Sequence, residues 1–240
     1  MKLLFVINDD WYFISHRLPL ALAALREGFD VTVATRVGTQ GQEILDHGFR
    51  LISLEHLKRE TRSLSDIRAI QELRAIYRRE KPDIIHHVAL KPILYGNIAA
   101  LGLPLKIVNA FAGLGYLESS KSPKAMLLRA VIWNTMRFLL NRPNSFTILQ
   151  NFEDRDFAIN KLGMSGKNTE VIMGSGVDLE LFKPSLQPSG TPIVMLPSRL
   201  LWNKGVAEFV AAAELLSATG IDARFVLVGD TDLGDRKSVV

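Results

Sequence analysis

Short apolar runs alternate along the chain with segments whose apolar residues recur at helical spacing. The short runs have the length and the β-branched content of buried strands. The helical segments include 63–80, which carries apolar residues on one face and is followed by Pro82. Strands that alternate with helices predict βαβ units and a mostly parallel sheet with helices on both faces. Strands are predicted at 3–7, 30–35, 50–54, 83–88, 105–111, 145–150 and 169–173, and helices at 16–29, 41–49, 63–80, 92–101, 123–140 and 152–163.

The composition changes near residue 182, where "FKPSLQPSGTP" carries three prolines. Such a stretch is typical of a linker. A strand, a helix and a second strand follow at 193–200, 203–220 and 223–230. We therefore predict an N-terminal Rossmann-like domain at 1–183, a linker at 184–191 and the beginning of a second Rossmann-like domain at 192–240. Because a two-stranded sheet buries little surface, we expect the chain to be truncated.

Composition excludes several kinds of protein. Apolar residues make up 48% of the 240 residues, which is enough for a folded core. The absence of cysteine excludes disulfides and thiolate metal sites, and no third metal ligand accompanies the histidines. From these ligand types we expect no metal. A net charge of +4 is too mild to indicate nucleic-acid binding. No signal peptide or membrane-spanning run is recognisable, so we expect a cytoplasmic protein.

The first strand is followed by "NDDWYFISHRLP", in which no glycine occurs. A dinucleotide-binding fold needs G-x-G-x-x-G at this place, so a nicotinamide-dependent oxidoreductase ranks far behind the other functions. Asp and His side chains can bond to hydroxyl groups, and aromatic rings can stack on sugars. We expect Asp10 and His16 to take part in such contacts, with Arg17 able to meet a phosphate.

Two cations follow the strand of the second domain in "PSRLLWNKG". Arg199 and Lys204 lie near the beginning of the next helix, where unpaired backbone N–H groups attract anions. This arrangement suits a diphosphate. The alternative is that both cations only solvate a surface.

Several short motifs, in their order and spacing, resemble the nucleotide-sugar glycosyltransferases of family 4, which have the GT-B fold. They are "SGVD", "SRL…KG" and "LVGD" in the C-terminal part and "DWYFISHRLPLALAA", "HHVALKPILYG" and "NAFAGLGYL" in the N-terminal part. The N-terminal segments resemble the subgroup that adds sugars to lipid carriers during polysaccharide or glycan assembly. The resemblance covers nearly the whole chain to about Asp230.

The resemblance implies a retaining enzyme that takes a sugar from a nucleoside-diphosphate sugar and gives it to a glycan or lipid-linked acceptor. The N-terminal domain would bind the acceptor, with Asp10, His16 and Arg17 lining the cleft against it and His16 and His87 as catalytic residues. Arg199 and Lys204 would neutralise the donor diphosphate, with no metal or other cofactor. The family also carries a glutamate pair that contacts the donor sugar, and "DRKSVV" at 235–240 does not match it. We therefore expect little transfer by the 240-residue chain alone. The alternative is a non-catalytic N-lobe that binds acceptor or a partner only.

Further site residues follow from strand ends. His86 and His87 face opposite sides of their strand, and we favour His87, with the nearby Lys91, because the family often has a sugar-contacting histidine in this region. The alternative is that both histidines are structural. Gly113 and Gly115 form a loop that can approach a ligand closely, or a plain turn.

Residues 121–142 contain five basic residues, no acidic residue and a broad apolar face. A basic amphipathic helix can lie on an anionic membrane, which would make the protein peripheral on the inner face. The alternative is a helix buried in the core.

Overall fold

The computed structural model describes residues 1–57, 63–113 and 123–230. They divide into two compact units, Met1–Val177 and Asp178–Val240. The strands of the first unit are β1 (Lys2–Asp9), β2 (Asp30–Arg36), β3 (Arg50–Ser53), β4 (Ile84–Val88), β5 (Lys106–Ala110), β6 (Ser145–Leu149) and β7 (Thr169–Val171). Its helices are α1 (Asp10–His16), α2 (Leu18–Arg26), α3 (Gly41–Asp46), α4 (Ser63–Glu80), α5 (Leu90–Ala99), α6 (Pro123–Leu140) and α7 (Phe152–Asn160).

The seven strands form one sheet in the order β3-β2-β1-β4-β5-β6-β7, and every neighbouring pair is parallel. The predicted α/β, Rossmann-like class is therefore confirmed for this unit. The strand order reverses between β1 and β4, which pair with Phe5 opposite His86. In sheets of this kind ligands bind beyond the carboxyl ends of the strands at such a reversal.

Alternation along β1 shows how the sheet is covered on both faces. Leu4 and Val6 pack with buried residues of α4 such as Leu73. Phe5 and Ile7 point to the other face, in a cluster that also holds residues of α1, α2 and α3. Burying an aliphatic or aromatic side chain of this size contributes about 1.5–3 kcal/mol, so the two clusters fix the register of β1.

The first helical segment differs from the prediction. Residues 10–16 form a helix of their own, α1, and the chain breaks at Arg17 (φ −124°) before α2 begins. Pro19 is accommodated because it stands in the first turn of α2, where its missing N–H costs nothing. The short break is what places Arg17 at the carboxyl edge of the sheet.

The second unit contains β8 (Ile193–Pro197), a 3₁₀ turn at Trp202–Lys204, α8 (Val206–Ala218) and β9 (Arg224–Val228). β8 and β9 are parallel neighbours. A Cβ atom added to Gly229 would overlap the carbonyl oxygen of Ser198, so a glycine is required there. Residues 181–192, all described, form no helix or strand. The domain bounds at 183 and 192 stay a prediction.

Candidate functional site

A pocket lies at the carboxyl edge of the large sheet, beside the reversal in strand order. Its cavity volume is about 190 Å³. The lining comes from β4, from the last residues of β5 and β6, and from the segments that follow β1, β5, β6 and β7. The lining residues are His16, Arg17, Pro19, Leu20, His86, Ala110, Phe111, Ile148, Gln150, Ile172, Gly174 and Ser175.

Arg17 is the buried cation of the pocket. Only 8% of the residue is exposed, and Nη1 donates to the Ser175 hydroxyl at 3.2 Å. Its Nε is buried and has no hydrogen-bond partner among the described residues. Burial lowers the pKa of the guanidinium, because the charged form loses water without gaining a carboxylate. The cation is thus held ready for an anionic or strongly polar group.

His86 faces the same pocket from β4. The residue is 6% exposed, and its ring centroid lies 5.1 Å from that of Phe5. Nε2 is buried and has no hydrogen-bond partner in the described part of the chain. Burial, and then repulsion by Arg17 and His87, lowers its pKa to about 3. The imidazole is therefore neutral at pH 7 and can serve as a hydrogen-bond donor or acceptor.

His16, predicted as a catalytic residue, also lines this pocket. Its ring stacks on Tyr12 with centroids 4.2 Å apart, and Nδ1 lies 2.6 Å from the Ser15 hydroxyl. Partial burial and then the charge of Arg17 lower its pKa. The stack and the hydrogen bond fix the plane of the His16 ring. The structure thus brings His16, Arg17 and His86 together in the lining of one pocket.

His87, our favoured histidine, does not line the pocket. It is fully buried; Nε2 lies 2.8 Å from the Tyr77 hydroxyl and Nδ1 lies 3.1 Å from Asn109 Oδ1. Since the Asn109 amide nitrogen donates to Ser145, its oxygen accepts from His87 Nδ1–H, and Nε2 accepts from Tyr77. Burial lowers the pKa of His87 to about 4. The structure therefore places His86 in this pocket and His87 outside it. Which of the two contacts a substrate stays a prediction.

Asp10 was expected to line the cleft, and the structure gives it another task. The residue is 2% exposed, and its carboxylate accepts hydrogen bonds from the backbone N–H groups of Trp11, Gly38 and Gln40 at 2.7–2.9 Å. These bonds tie the loop after β2 to the beginning of α1. The carboxylate is occupied by backbone donors, and Asp10 is not among the residues that line this pocket.

Two other predicted residues lie away from the pocket. Lys91 Nζ is 3.6 Å from an Asp66 carboxylate oxygen and 5.9 Å from the centre of the Tyr95 ring, so it ties α5 to α4. Gly113 has a φ of +107°, which explains a glycine there without a ligand. Gly115 lies outside the described residues.

Arg199 and Lys204, in the second unit, follow β8 and are exposed. The Ser198 N–H donates to the Val228 carbonyl and the Leu200 N–H to that of Asp230, so "SRL" and "VGD" lie side by side. Gly205, with a φ of +77°, turns the chain into α8. Both cations therefore stand at the carboxyl edge of this small sheet, where an anion can reach them.

Sequence reasoning missed Ser175, Phe111 and Gln150 as pocket residues. Each stands just beyond a strand of the sheet, which is the signal that would have found them. From the sequence, Gln150 only ends the strand predicted at 145–150, and Ser175 lies in no predicted helix or strand. The order of the strands in the sheet is needed to predict that these residues line one pocket.

The surface of α6 is partly apolar and exposed. Leu127 (70% exposed), Val131 and Phe138 recur at helical spacing, and Arg137 lies beside them. The opposite face buries Met136, Leu139 and Leu140 against the core. The described part of the chain contains no helix that is both long and apolar enough to cross a bilayer.

Within residues 1–57, 63–113 and 123–230, no three His, Cys, Asp or Glu side chains are grouped so that they could hold a metal ion.

Two curated relatives resemble most of the chain. The N,N'-diacetylbacillosaminyl-diphospho-undecaprenol alpha-1,3-N-acetylgalactosaminyltransferase of Campylobacter jejuni is 28% identical over 92% of this chain and 63% of that protein. The UDP-Gal:alpha-D-GlcNAc-diphosphoundecaprenol alpha-1,3-galactosyltransferase of Escherichia coli is 25% identical over 86% of this chain and 56% of that protein. This chain therefore spans less than two thirds of the length of either relative.

A solved Anabaena protein in complex with UDP and glucose shares the fold, with a TM-score of 0.69 and 19% identity over 98% of this chain and 62% of that chain. The α/β, GT-B-like fold is thereby confirmed. Solved UDP-N-acetylglucosamine 2-epimerases share it as well, so the fold alone does not identify a reaction.

The family model described as glycosyl transferase 4-like matches residues 2–151, which is more than half of the chain. The matched region contains β1 to β6 and most residues of the pocket. The chain belongs to the glycosyl transferase 4-like family.

Proposed function

We propose that the protein acts as a retaining glycosyltransferase, which moves a sugar from a nucleoside-diphosphate sugar to a glycan or lipid-linked acceptor in surface polysaccharide or glycan assembly. The observation that carries this proposal is the pocket of a family member in which Arg17, His16 and His86 meet at the carboxyl edge of the sheet. The relatives' names specify acceptors linked through a diphosphate to undecaprenol. A pocket with hydroxyl-binding and cationic groups suits the sugar end of such an acceptor.

On this proposal the second unit holds the donor. The diphosphate gains negative charge as the bond to the sugar breaks, and fixed cations aimed at it lower the barrier. Arg199 and Lys204 stand where they can do this, and the leaving phosphate can take the proton of the acceptor hydroxyl. No metal is required in this scheme, so EDTA should leave the affinity for nucleoside diphosphate unchanged.

Binding of UDP is the first test, since the chain spans only part of the length of its relatives. Calorimetry should detect binding, and Arg199→Gln with Lys204→Gln should weaken it at least tenfold. Lys183→Gln is the matched control, because Lys183 is an exposed cation of the same unit that pairs with Glu180 at 2.7 Å. The non-catalytic alternative predicts no UDP binding at millimolar concentration, and that result would reject the donor site.

We also propose that α6 rests on an anionic membrane, which makes the protein peripheral at the cytoplasmic face. Exposed Leu127, Val131 and Phe138 supply apolar area, and the basic residues of 121–142 supply attraction to anionic lipid. Vesicles containing phosphatidylglycerol should sediment the protein, and purely zwitterionic vesicles should do so much less.

The double variant Leu127→Ser, Phe138→Ser should lose most of this binding. Leu45→Ser is the control, since Leu45 is exposed on α3. Equal sedimentation of wild type and double variant would remove α6 from the proposal.

A further inference from the structure

The pocket contains two buried polar atoms that nothing in the described protein satisfies. They are Arg17 Nε and His86 Nε2. Buried polar groups are almost always hydrogen-bonded, and leaving one without a partner costs about 1–3 kcal/mol. Both side chains line the same cavity. Two such side chains in the lining of one cavity indicate a polar group that enters it as a ligand.

The charge around these atoms indicates an anion. Among the described residues that line the pocket there is no aspartate or glutamate, whereas Arg17, His16 and His86 are all present. The ion pairs within residues 1–57, 63–113 and 123–230 do not include Arg17. A guanidinium withdrawn from water without a counter-charge is stabilised by an anion that supplies the missing charge and hydrogen bonds.

The rest of the lining strengthens this attraction. Leu20, Phe111 and Ile172 present apolar surface to the cavity, and an ionic hydrogen bond is stronger in such surroundings than in water. The Ser175 hydroxyl lies 3.2 Å from Arg17 Nη1 and can turn its proton towards an anion. A guanidinium fork matches a tetrahedral phosphate through two parallel hydrogen bonds.

We propose that Arg17, His86 and Ser175 form an anion subsite that holds a phosphate group of the acceptor. The assignment to the acceptor rests on the proposed function. On that proposal the first unit, which contains the pocket, binds the acceptor, and the second unit, with Arg199 and Lys204, binds the donor. The phosphate accepts from Arg17 Nε–H and from His86, while the acceptor sugar extends along the remaining lining. Arg17 and His86 are then binding residues that position the acceptor.

Occupation of the subsite should change the protonation of His86. The imidazole is neutral at pH 7, since burial, Arg17 and His87 together lower its pKa to about 3. The other titratable group that lines the cavity is His16, on α1, and its positive form also repels a proton on His86. A bound phosphate adds negative charge, so the pKa of His86 rises when the subsite is filled.

The test measures anion binding with the donor cations removed. In the Arg199→Gln, Lys204→Gln background, inorganic pyrophosphate, farnesyl diphosphate and farnesol are titrated against the 240-residue chain. Pyrophosphate and farnesyl diphosphate should bind, and farnesol should not. Adding Arg17→Gln should weaken diphosphate binding at least tenfold, and Arg17→Lys should restore part of it. Arg50→Gln, which removes an exposed arginine paired with Glu80, should change nothing.

The two diphosphates identify the source of the phosphate. Tighter binding of farnesyl diphosphate assigns the subsite to a lipid-linked acceptor, and equal binding assigns it to a water-soluble phosphate; both outcomes require Arg17. Unchanged affinity in the Arg17→Gln protein, or binding of farnesol equal to that of its diphosphate, would overturn the proposal.

Two further measurements keep the test valid if Arg17→Gln impairs folding. Ser175 is exposed, so Ser175→Ala should fold normally and weaken diphosphate binding two- to fivefold. The chain has five histidines, and His86→Asn identifies the ring signal of His86 by NMR. That signal should titrate at higher pH with pyrophosphate than without it, and an unmoved titration contradicts the subsite.

The outcome is independent of the donor proposal. If UDP fails to bind while pyrophosphate binding depends on Arg17, the donor site is rejected and the anion subsite stands. If UDP binds through Arg199 and Lys204 while Arg17→Gln has no effect on pyrophosphate, the reverse holds.

Discussion

Gly96 on α5 is required by its contact with His87. A Cβ atom added at Gly96 would overlap the imidazole, which is held on its other sides by Tyr77 and Asn109. Because the ring cannot move without breaking buried hydrogen bonds, Gly96→Ala should lower the free energy of unfolding by about 1–3 kcal/mol. Urea unfolding followed by circular dichroism measures the change.

Gly166→Ala is the matched control for this substitution. A Cβ atom at Gly166 would meet only the end of the Ile159 side chain at an ordinary 3.5 Å. Its effect should stay within about 0.5 kcal/mol. Equal stability of the two variants would show that the α5 helix can shift away from His87.

Residue roles that depend on close sequence neighbours could be predicted, and roles that depend on the sheet could not. Asn151 directly precedes a helical segment, which is the place of an N-cap, and its Oδ1 accepts from the Asp154 N–H at 2.6 Å. Asp178 precedes a turn in the same way, and it accepts from the Glu180 N–H at 2.8 Å. Strand alternation predicts that His86 and His87 point to opposite faces of the sheet. It does not predict which elements cover each face, and the choice between the two histidines depends on that.

At the scale of elements, β4 places two neutral histidines side by side in the interior. Burial lowers the pKa of His86 to about 3 and that of His87 to about 4, from an ordinary value of 6.5. Between pH 6.5 and pH 4 the unfolded chain therefore binds more protons than the folded one. Stability from these residues is complete above pH 6.5 and is lost as the pH falls through this window.

The expected loss from His87 alone is about 3 kcal/mol by pH 4. Urea unfolding at several pH values should give a slope that approaches two protons, one for each histidine. His47→Asn, at an exposed histidine on the loop before β3, should leave this profile unchanged. A flat profile between pH 6.5 and pH 4 would mean that protonated histidines are tolerated inside.

The elements themselves follow from hydrophobic periodicity, with one exception. All nine predicted strands are present, because each is a short apolar run between turns. The missed element is α1, whose aromatic residues suggested a binding loop. Its buried positions, Asp10 and Phe13, are spaced three apart, and Arg17 follows four residues later. That spacing predicts a helix, whereas the aromatic and charged residue types of the same segment favour a binding loop.

At the scale of the whole molecule, the pocket depends on strand order, which sequence pattern does not contain. The segments after β1, β5, β6 and β7 meet only because β1 lies beside β4 in the sheet. The alternation of strands and helices predicted a parallel sheet, and many orders satisfy that pattern. The motifs in the sequence predict the family. Only the structure shows which residues lie near Arg17 in the pocket.

The division into two units leads to a prediction about proteolysis. Residues 178–191 are exposed, and Leu186 is 96% exposed. A protease needs an extended backbone that is free of secondary structure, and such a segment offers it. Brief digestion with chymotrypsin should make its first cut within the described residues after Leu181, Phe182 or Leu186, and mass spectrometry of the fragments locates it.

The chain provides its own controls for this digestion. Leu20 and Leu45 are also about half exposed, but they lie in α2 and α3, where the backbone is hydrogen-bonded. They should remain uncut while residues 1–181 to 1–186 accumulate as a resistant fragment that keeps its helical circular dichroism. Early cleavage at Leu20 or Leu45 would show that the first unit unfolds locally as readily as the 178–191 segment. It would contradict the expectation that the core around β1 holds α2 and α3 in place.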